Sequence, residues 1–319
     1  MQGSVKRTEK SENIKDVYVE FQRKNQLKNL SKYTIWYYAN TLRPFFNYLS
    51  GVGISSIKQV NRNVIGDYIL TLKNRHPNAI TVNTHIRAVR AFMYFGMDNG
   101  YLPYFKIYTL KQPEKVMQTY SDADVKKLIA RPNLKTCSFV TYRNWVMVNY
   151  FLETGNRLRS ALNIRVGDVH FPERRITIRA TKNRAEIETP ITKTLQSILP
   201  PYISAWGLRD SMYLFPSVKG TQITRNAAEQ AIHNYNLSRG VKITSIHAFR
   251  HTFARNYIVT GGSAFKLQSL LGHKCLEETR HYVHLFGTDL ACDIDAHSVI
   301  ERLKLSQPTY QFKKSNRRR

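Results

Sequence analysis

Apolar side chains recur every three or four residues from Ile14 to Met93, and that period admits little besides a bundle of short helices. Ile14, Val17, Tyr18 and Phe21 occupy positions i, i+3, i+4 and i+7. Tyr38, Leu42, Phe45, Phe46 and Leu49 repeat the pattern behind Ser31, a residue type suited to cap a helix. Pro44 falls inside this second stretch and is expected to interrupt and kink it. Asn61 can cap a third helix bearing Ile65, Ile69 and Leu72. A fourth sets Val82, Ile86, Val89 and Met93 on one stripe, with Asn83, Arg87, Arg90 and Tyr94 on the opposite one. Residues 13–101 therefore read as a small helical domain, preceded by a basic tail over 1–12.

Residues 102–117 contain two prolines, several lysines and no clear period, the pattern of an interdomain linker. Ser121, Asp122, Ala123 and Asp124 then mark a helix start, with acids in its first turn. A helix over 139–153 stops at Thr154-Gly155, and another begins at Arg157. From Val169 to Pro190 the character is that of strands, turning first at Pro172-Glu173-Arg174 and then at a basic turn around Lys182. Helices are predicted again over 192–199, 224–239, 247–260, 263–271 and 276–284, with Ser263 as a cap. The chain is thus predicted to be mainly α with a small antiparallel β-sheet. Its second domain, α+β in character, runs over 118–290. A C-terminal segment over 291–319 carries its own apolar stripe (Val299, Ile300, Leu303) and ends in a basic tail.

Charge narrows the partners. Lys and Arg total 49 against 22 Asp and Glu, a formal net charge of +27 over 319 residues. A compact chain this basic needs anions around it, and phosphate polymers are the commonest. The excess implies binding that weakens steeply with salt. No run approaches the ~20 apolar residues that span a bilayer, and the polar start lacks the apolar core of a secretory signal. Three widely spaced cysteines (Cys137, Cys275, Cys292) make neither a disulfide framework nor a zinc set. A cytoplasmic, nucleoid-associated protein with no membrane partner is the expectation.

The densest group of chemistry-bearing residues lies at 246–284. His247 and Arg250 are three apart and share a helix face. Gly272-His273 closes a later helix, and Tyr282 follows that histidine by nine residues. His251, four residues after His247, would complete half of a zinc pair. The Glu of the metalloprotease pattern is missing, however, and Arg250 beside it repels a cation. His281 and His284 read as surface or packing groups. No metal and no cofactor is expected.

His-Ala-Phe-Arg at 247–250, Leu-Leu-Gly-His at 270–273 and Tyr282 together resemble the C-terminal signature of the tyrosine recombinases of the phage integrase and Xer type. Thr154-Gly155-Asn156-Arg157 resembles that family's first arginine box. The basic turn holding Lys182, eight residues before Pro190, resembles its β-hairpin lysine segment. The helical 13–101 segment is similar in pattern to the family's core-binding, SAM-like domain. Two departures stand out: Asn156 where the family has an apolar residue, and Ser160 where it has an acid that supports the arginine.

The resemblance implies a site-specific DNA recombinase that breaks a phosphodiester by transesterification. Tyr282 would be the nucleophile, conserving the bond energy as a 3′-phosphotyrosine. Arg157 and Arg250 would clamp the scissile phosphate with planar, bidentate donors. Lys182 would protonate the leaving 5′ oxygen. His247 would act as base and His273 as a hydrogen-bond donor to phosphate. Arg43, Arg87 and Arg90 are candidates for contact with DNA backbone. The expected partner is double-stranded DNA, held in a clamp formed by the two domains. The free chain would be a monomer or weak oligomer, and a homotetramer would form on paired sites, with the C-terminal segment docked on a neighbour. The leaning is towards a mobile element's integrase or transposase. The alternatives are a type IB topoisomerase-like nicking and resealing enzyme, an Xer-type enzyme acting on chromosome dimers, and a non-catalytic DNA-binding regulator.

Overall fold

Four side-chain caps start the four N-terminal helices in a computed structural model, which describes residues 11–112, 117–179, 186–273 and 275–286, without the side chains of 281 and 284–286. Asn13 accepts from Lys15, Ser31 from Thr34, Asn61 from Asn63 and Val64, and Asn78 from Ile80, each through a backbone N–H. These open α1 (Ile14–Leu27), α2 (Lys32–Gly51), α3 (Arg62–Arg75) and α4 (Ala79–Asp98). The chain divides into two compact units, residues 1–115 and 116–319.

In the first unit α4 packs against all three other helices. Its predicted stripe of Val82, Ile86, Val89 and Met93 is buried, meeting Phe21, Leu42, Phe45 and Leu72 in one core. Phe92 sits edge-on to Phe21 and Phe46, with ring centroids 5.6 and 5.4 Å away. Burying each such ring stabilises the unit by roughly 1.5–3 kcal/mol.

Two expectations fail here. Helix α2 continues through Pro44 in one run, because Leu42, Phe45 and Leu49 keep their buried face on both sides of it. Asn83, read onto the stripe opposite the apolar one, is itself buried. Its amide donates to the Leu110 carbonyl (2.9 Å) and accepts from the Leu110 N–H (2.8 Å). Tyr94 likewise accepts from the Ile107 N–H. The first part of the stretch read as a linker therefore lies back along α4, with Ile107 buried.

The second unit is built around α6 (Phe139–Thr154), which packs against α5 (Asp122–Ile129), α8 (Lys193–Ala205), α9 (Arg225–Ser238) and α10 (Ile246–Val259). After a one-turn α7 (Leu158–Ala161) comes a three-stranded antiparallel sheet in the order β1 (Val169–His170), β2 (Arg175–Ile178), β3 (Ile187–Pro190). Val169 pairs with Ile176, and Ile176 with Thr189. Helices α11 (Ala264–Leu271) and α12 (Leu276–Phe286) pack on α10 and on each other.

Helix α8 outruns its predicted end at 199 and carries Pro200 and Pro201 inside it. Leu195, Ile198, Leu199 and Tyr202 form one buried stripe across those prolines, and the Tyr202 hydroxyl donates to the Leu214 carbonyl. Packing of that face outweighs the missing N–H groups. Ser263 stands at the cap position of α11 but makes no side-chain cap hydrogen bond.

No helix among the described residues is long and apolar enough to cross a membrane. The expectations for residues 1–10, for Lys182 and its turn, for Cys292 and for the segment beyond 286 lie outside the described residues.

Candidate active site

The site begins where α6 ends. Gly155 adopts φ +61° and its N–H caps the Phe151 carbonyl. A Cβ there would lie 2.5 Å from the Phe253 ring and 2.9 Å from Leu271, so both conformation and space require glycine. The turn delivers Arg157 to the start of α7, and its guanidinium crosses to the end of α11. There Nη1 donates to the carbonyls of Leu271 (3.3 Å) and Gly272 (3.2 Å).

Asn156, one of the two departures from the family pattern, is buried. Its amide donates to the Tyr150 hydroxyl (2.7 Å) and to the Thr189 hydroxyl of β3 (3.1 Å). A polar residue is tolerated because it ties α6, the arginine turn and the sheet together. Asn156→Leu is expected to destabilise the protein by about 1–3 kcal/mol in denaturant unfolding, the usual penalty for stranding buried hydrogen-bonding groups. Combined with Tyr150→Phe it should cost less than the sum of the two single changes.

Arg250 comes from α10 and is buried, 6% exposed. Nη1 donates to the Gly155 carbonyl (2.8 Å), while Nη2 donates to the Leu271 carbonyl (3.0 Å) and to His273 Nε2 (2.7 Å). Both guanidiniums are thus held by carbonyls at the C-terminal ends of α6 and α11, where the helix dipoles favour positive charge. Burial, and then the Arg157 charge, push Arg250 down to about 10, which leaves it fully charged at neutral pH.

Gly272 ends α11 at φ +60°, and a Cβ there would meet Ile187 at 2.8 Å. The next residue, His273, accepts from Arg250 at Nε2, so its Nδ1–H donates to the buried Thr279 hydroxyl (2.7 Å). Burial, then Arg250 and Arg157, hold His273 down at about 4. It is neutral, and the 3.8 Å approach of Glu278 to Nε2 is not an ion pair.

Helix α12 supplies Tyr282, only 4% exposed and packed with Ala254, Leu267 and Leu271. Its ring lies parallel to that of His273 (centroids 6.1 Å apart, 7° between planes). Its hydroxyl is 2.9 Å from His251 Nδ1. Burial raises the phenol's pKa, opposed by Arg250, which is hydrogen-bonded to it, and by Arg157. One turn earlier, Glu278 sits 3.6 Å from Arg157 Nη2. An acid therefore stands beside Arg157 although position 160 is Ser160.

Of the residues read from the sequence, Arg157, Arg250, His273 and Tyr282 converge. His247 is on the same helix as Arg250 but exposed, and Lys182 lies outside the described residues. In the first unit, Arg43 is exposed with Nη2 3.4 Å from the Asn40 side chain. Arg87 is exposed and Arg90 half-buried on α4. His251 and Glu278 are additions. The i, i+4 spacing from His247 was the one linear signal for His251, and no spacing singled out Glu278. Among the described residues, no group of three or more His, Cys, Asp or Glu side chains is placed to hold a metal ion.

A helical unit, followed by a mainly helical unit with a small sheet and two guanidiniums gathered at a buried tyrosine, defines the tyrosine-type site-specific recombinases. Residues 119–288 match the phage integrase family, and residues 22–100 match the phage integrase N-terminal SAM-like domain. The chain belongs to the phage integrase family.

Among curated relatives, tyrosine recombinase XerC of Oceanobacillus iheyensis is 26% identical over 282 residues, covering 85% of this chain and 90% of that one. Tyrosine recombinase XerD of Staphylococcus haemolyticus is 24% identical over 274 residues, covering 82% and 91%. Among solved structures, the Tn1549 transposon integrase in complex with a circular intermediate DNA superposes with a TM-score of 0.67 at 17% identity, over 85% of this chain and 95% of that one. The XerH site-specific recombinase bound to a palindromic difH substrate, in a post-cleavage complex, gives 0.66 at 18%, over 90% and 85%. These two structures share the fold.

Proposed function

We propose that this chain is the integrase or transposase of a mobile element, cutting and rejoining duplex DNA at specific sites through a 3′-phosphotyrosine. The observation that carries the reading is the convergence of Arg157 and Arg250 on the buried Tyr282 hydroxyl. Two like charges held 3.3 and 3.0 Å from the shared Leu271 carbonyl at the end of α11 form a preorganised site for an anion.

On this reading Tyr282 attacks the scissile phosphorus and the guanidiniums hold the non-bridging oxygens. Lys182 delivers the proton to the leaving 5′ oxygen. His247, read from the sequence as the base, is exposed at the start of α10, and His273 is the hydrogen-bond donor to the phosphate. In the DNA-free arrangement both ring nitrogens of His273 are engaged with Arg250 and Thr279. Its service as a donor therefore depends on the negative charge that DNA brings between the arginines. Arg43, Arg87 and Arg90 contact DNA backbone, and the active assembly on paired sites is a tetramer.

The XerC and XerD relatives favour a second reading, an enzyme acting on chromosome dimers. Asn156 and Ser160 set this chain apart from the family pattern and favour the mobile element.

The test starts from duplexes of random sequence, from which the wild-type chain selects those it retains. A plasmid carrying two direct copies of the selected duplex should yield two smaller circles. Relaxed circles alone would move the function to nicking and resealing. Footprinting on candidate element ends then separates the integrase from the chromosome-dimer enzyme.

A further inference from the structure

We propose that His251 is a catalytic residue whose Nδ1 takes the phenolic proton of Tyr282 as that oxygen attacks phosphorus. The inference rests on the reading of Tyr282 as nucleophile and deepens it. The distance from Nδ1 to the hydroxyl, 2.9 Å, lies inside the reach required of a general base. Arg250 is hydrogen-bonded to the same oxygen, and a guanidinium can only donate. The hydroxyl's own proton is therefore directed to Nδ1.

The surroundings make such an acceptor necessary. Tyr282 is walled by Ala254, Leu267 and Leu271, so its proton has little access to bulk water. The other imidazole beside the ring, His273, cannot serve. It lies parallel to the phenol, with Nε2 taken by Arg250 and Nδ1 by Thr279. His251 is half-buried, which leaves a route for the proton to solvent. It also sits next to Arg250 in sequence, so α10 supplies both the group that stabilises the phenolate and the group that creates it.

The step balances. The bond from the Tyr282 oxygen to phosphorus forms and the bond from phosphorus to the 5′ oxygen breaks. The phenolic proton passes to His251 Nδ1, and the leaving 5′ oxygen takes a proton from the acid, assigned above to Lys182. In the rejoining step His251 returns its proton to the departing phenolate.

The test uses the full chain and the selected duplex, nicked beside the cleavage point so that the covalent adduct accumulates. His251→Gln keeps a polar partner for the phenol but cannot accept its proton. It should form adduct about 100-fold more slowly, at the low end of the usual contribution of a general base, with duplex retention unchanged. Replacing Tyr282 by a ring-fluorinated tyrosine, whose phenol ionises more readily, should shrink that deficit at least tenfold. A purely structural defect would not respond in this way. A wild-type rate for His251→Gln, or a deficit unmoved by fluorination, overturns the role of His251 and leaves Tyr282 as nucleophile. An adduct that survives Tyr282→Phe overturns the nucleophile assignment, and this inference with it.

Discussion

Tyr282→Phe is expected to abolish covalent attachment to nicked duplex DNA while leaving duplex retention within about twofold of wild type. The substitution removes one oxygen and keeps the ring. The parallel contact with His273 and the packing on Leu267 and Leu271 survive. The lost hydrogen bonds to His251 and Arg250 should cost about 1–3 kcal/mol of stability. No neighbouring hydroxyl can take over the attack on this account, so the chemical step falls to zero within the assay. Quantifying adduct and retention on the same duplex separates lost chemistry from lost binding.

The second large effect is Arg250→Lys, which keeps the charge and is expected to reduce adduct formation at least 1,000-fold. It should also lower unfolding stability by about 2–4 kcal/mol, the range for stranding several buried acceptors. The guanidinium spans four acceptors: the carbonyls of Gly155 and Leu271 at two different helix ends, the imidazole of His273 and the hydroxyl of Tyr282. An ammonium is a single compact donor on a flexible stem and cannot bridge them in one plane. Single-turnover cleavage and denaturant unfolding would read the two losses separately. The same change at Arg157, whose guanidinium is half-exposed, should affect cleavage far more than stability.

Those contrasts show what could be read from linear spacing. Ser31, Asn61 and Ser121 announce helix starts because a cap is a local device, and each does accept the expected backbone N–H. The four converging site residues were legible because they stand in motifs that resemble those of a known family, in its order and near its spacing. Gly155 and Gly272 place Arg157 and His273, and their left-handed backbone sits in close packing on Phe253, Leu271 and Ile187.

What escaped depends on contacts between distant segments. Asn83 fell on the stripe opposite the apolar one because a helical period cannot reveal that residues 107–110 fold back onto α4. Asn156 reads from the sequence as a departure, and its reason lies in Tyr150 and Thr189, which surround its amide. Ser160 suggested an unsupported Arg157, yet Glu278 approaches it from α12, more than a hundred residues later in the chain. His251 was set aside as half of an unfinished metal pair because only the packing of α12 on α10 shows that it faces Tyr282.

The +27 charge has a similar lesson. Most of it is available to hold a long polyanion. The two guanidiniums seen at the site differ in kind, since the carbonyls at helix ends hold them.

The most direct test of the central claim is to identify the atom that becomes attached to DNA. The wild-type chain is trapped on the nicked selected duplex and digested with protease and nuclease, and the remaining nucleotide is located by tandem mass spectrometry. A single modified peptide carrying a 3′-linked nucleotide on Tyr282 is expected. A nucleotide on any other residue, or its attachment through a 5′-phosphate, would contradict the claim.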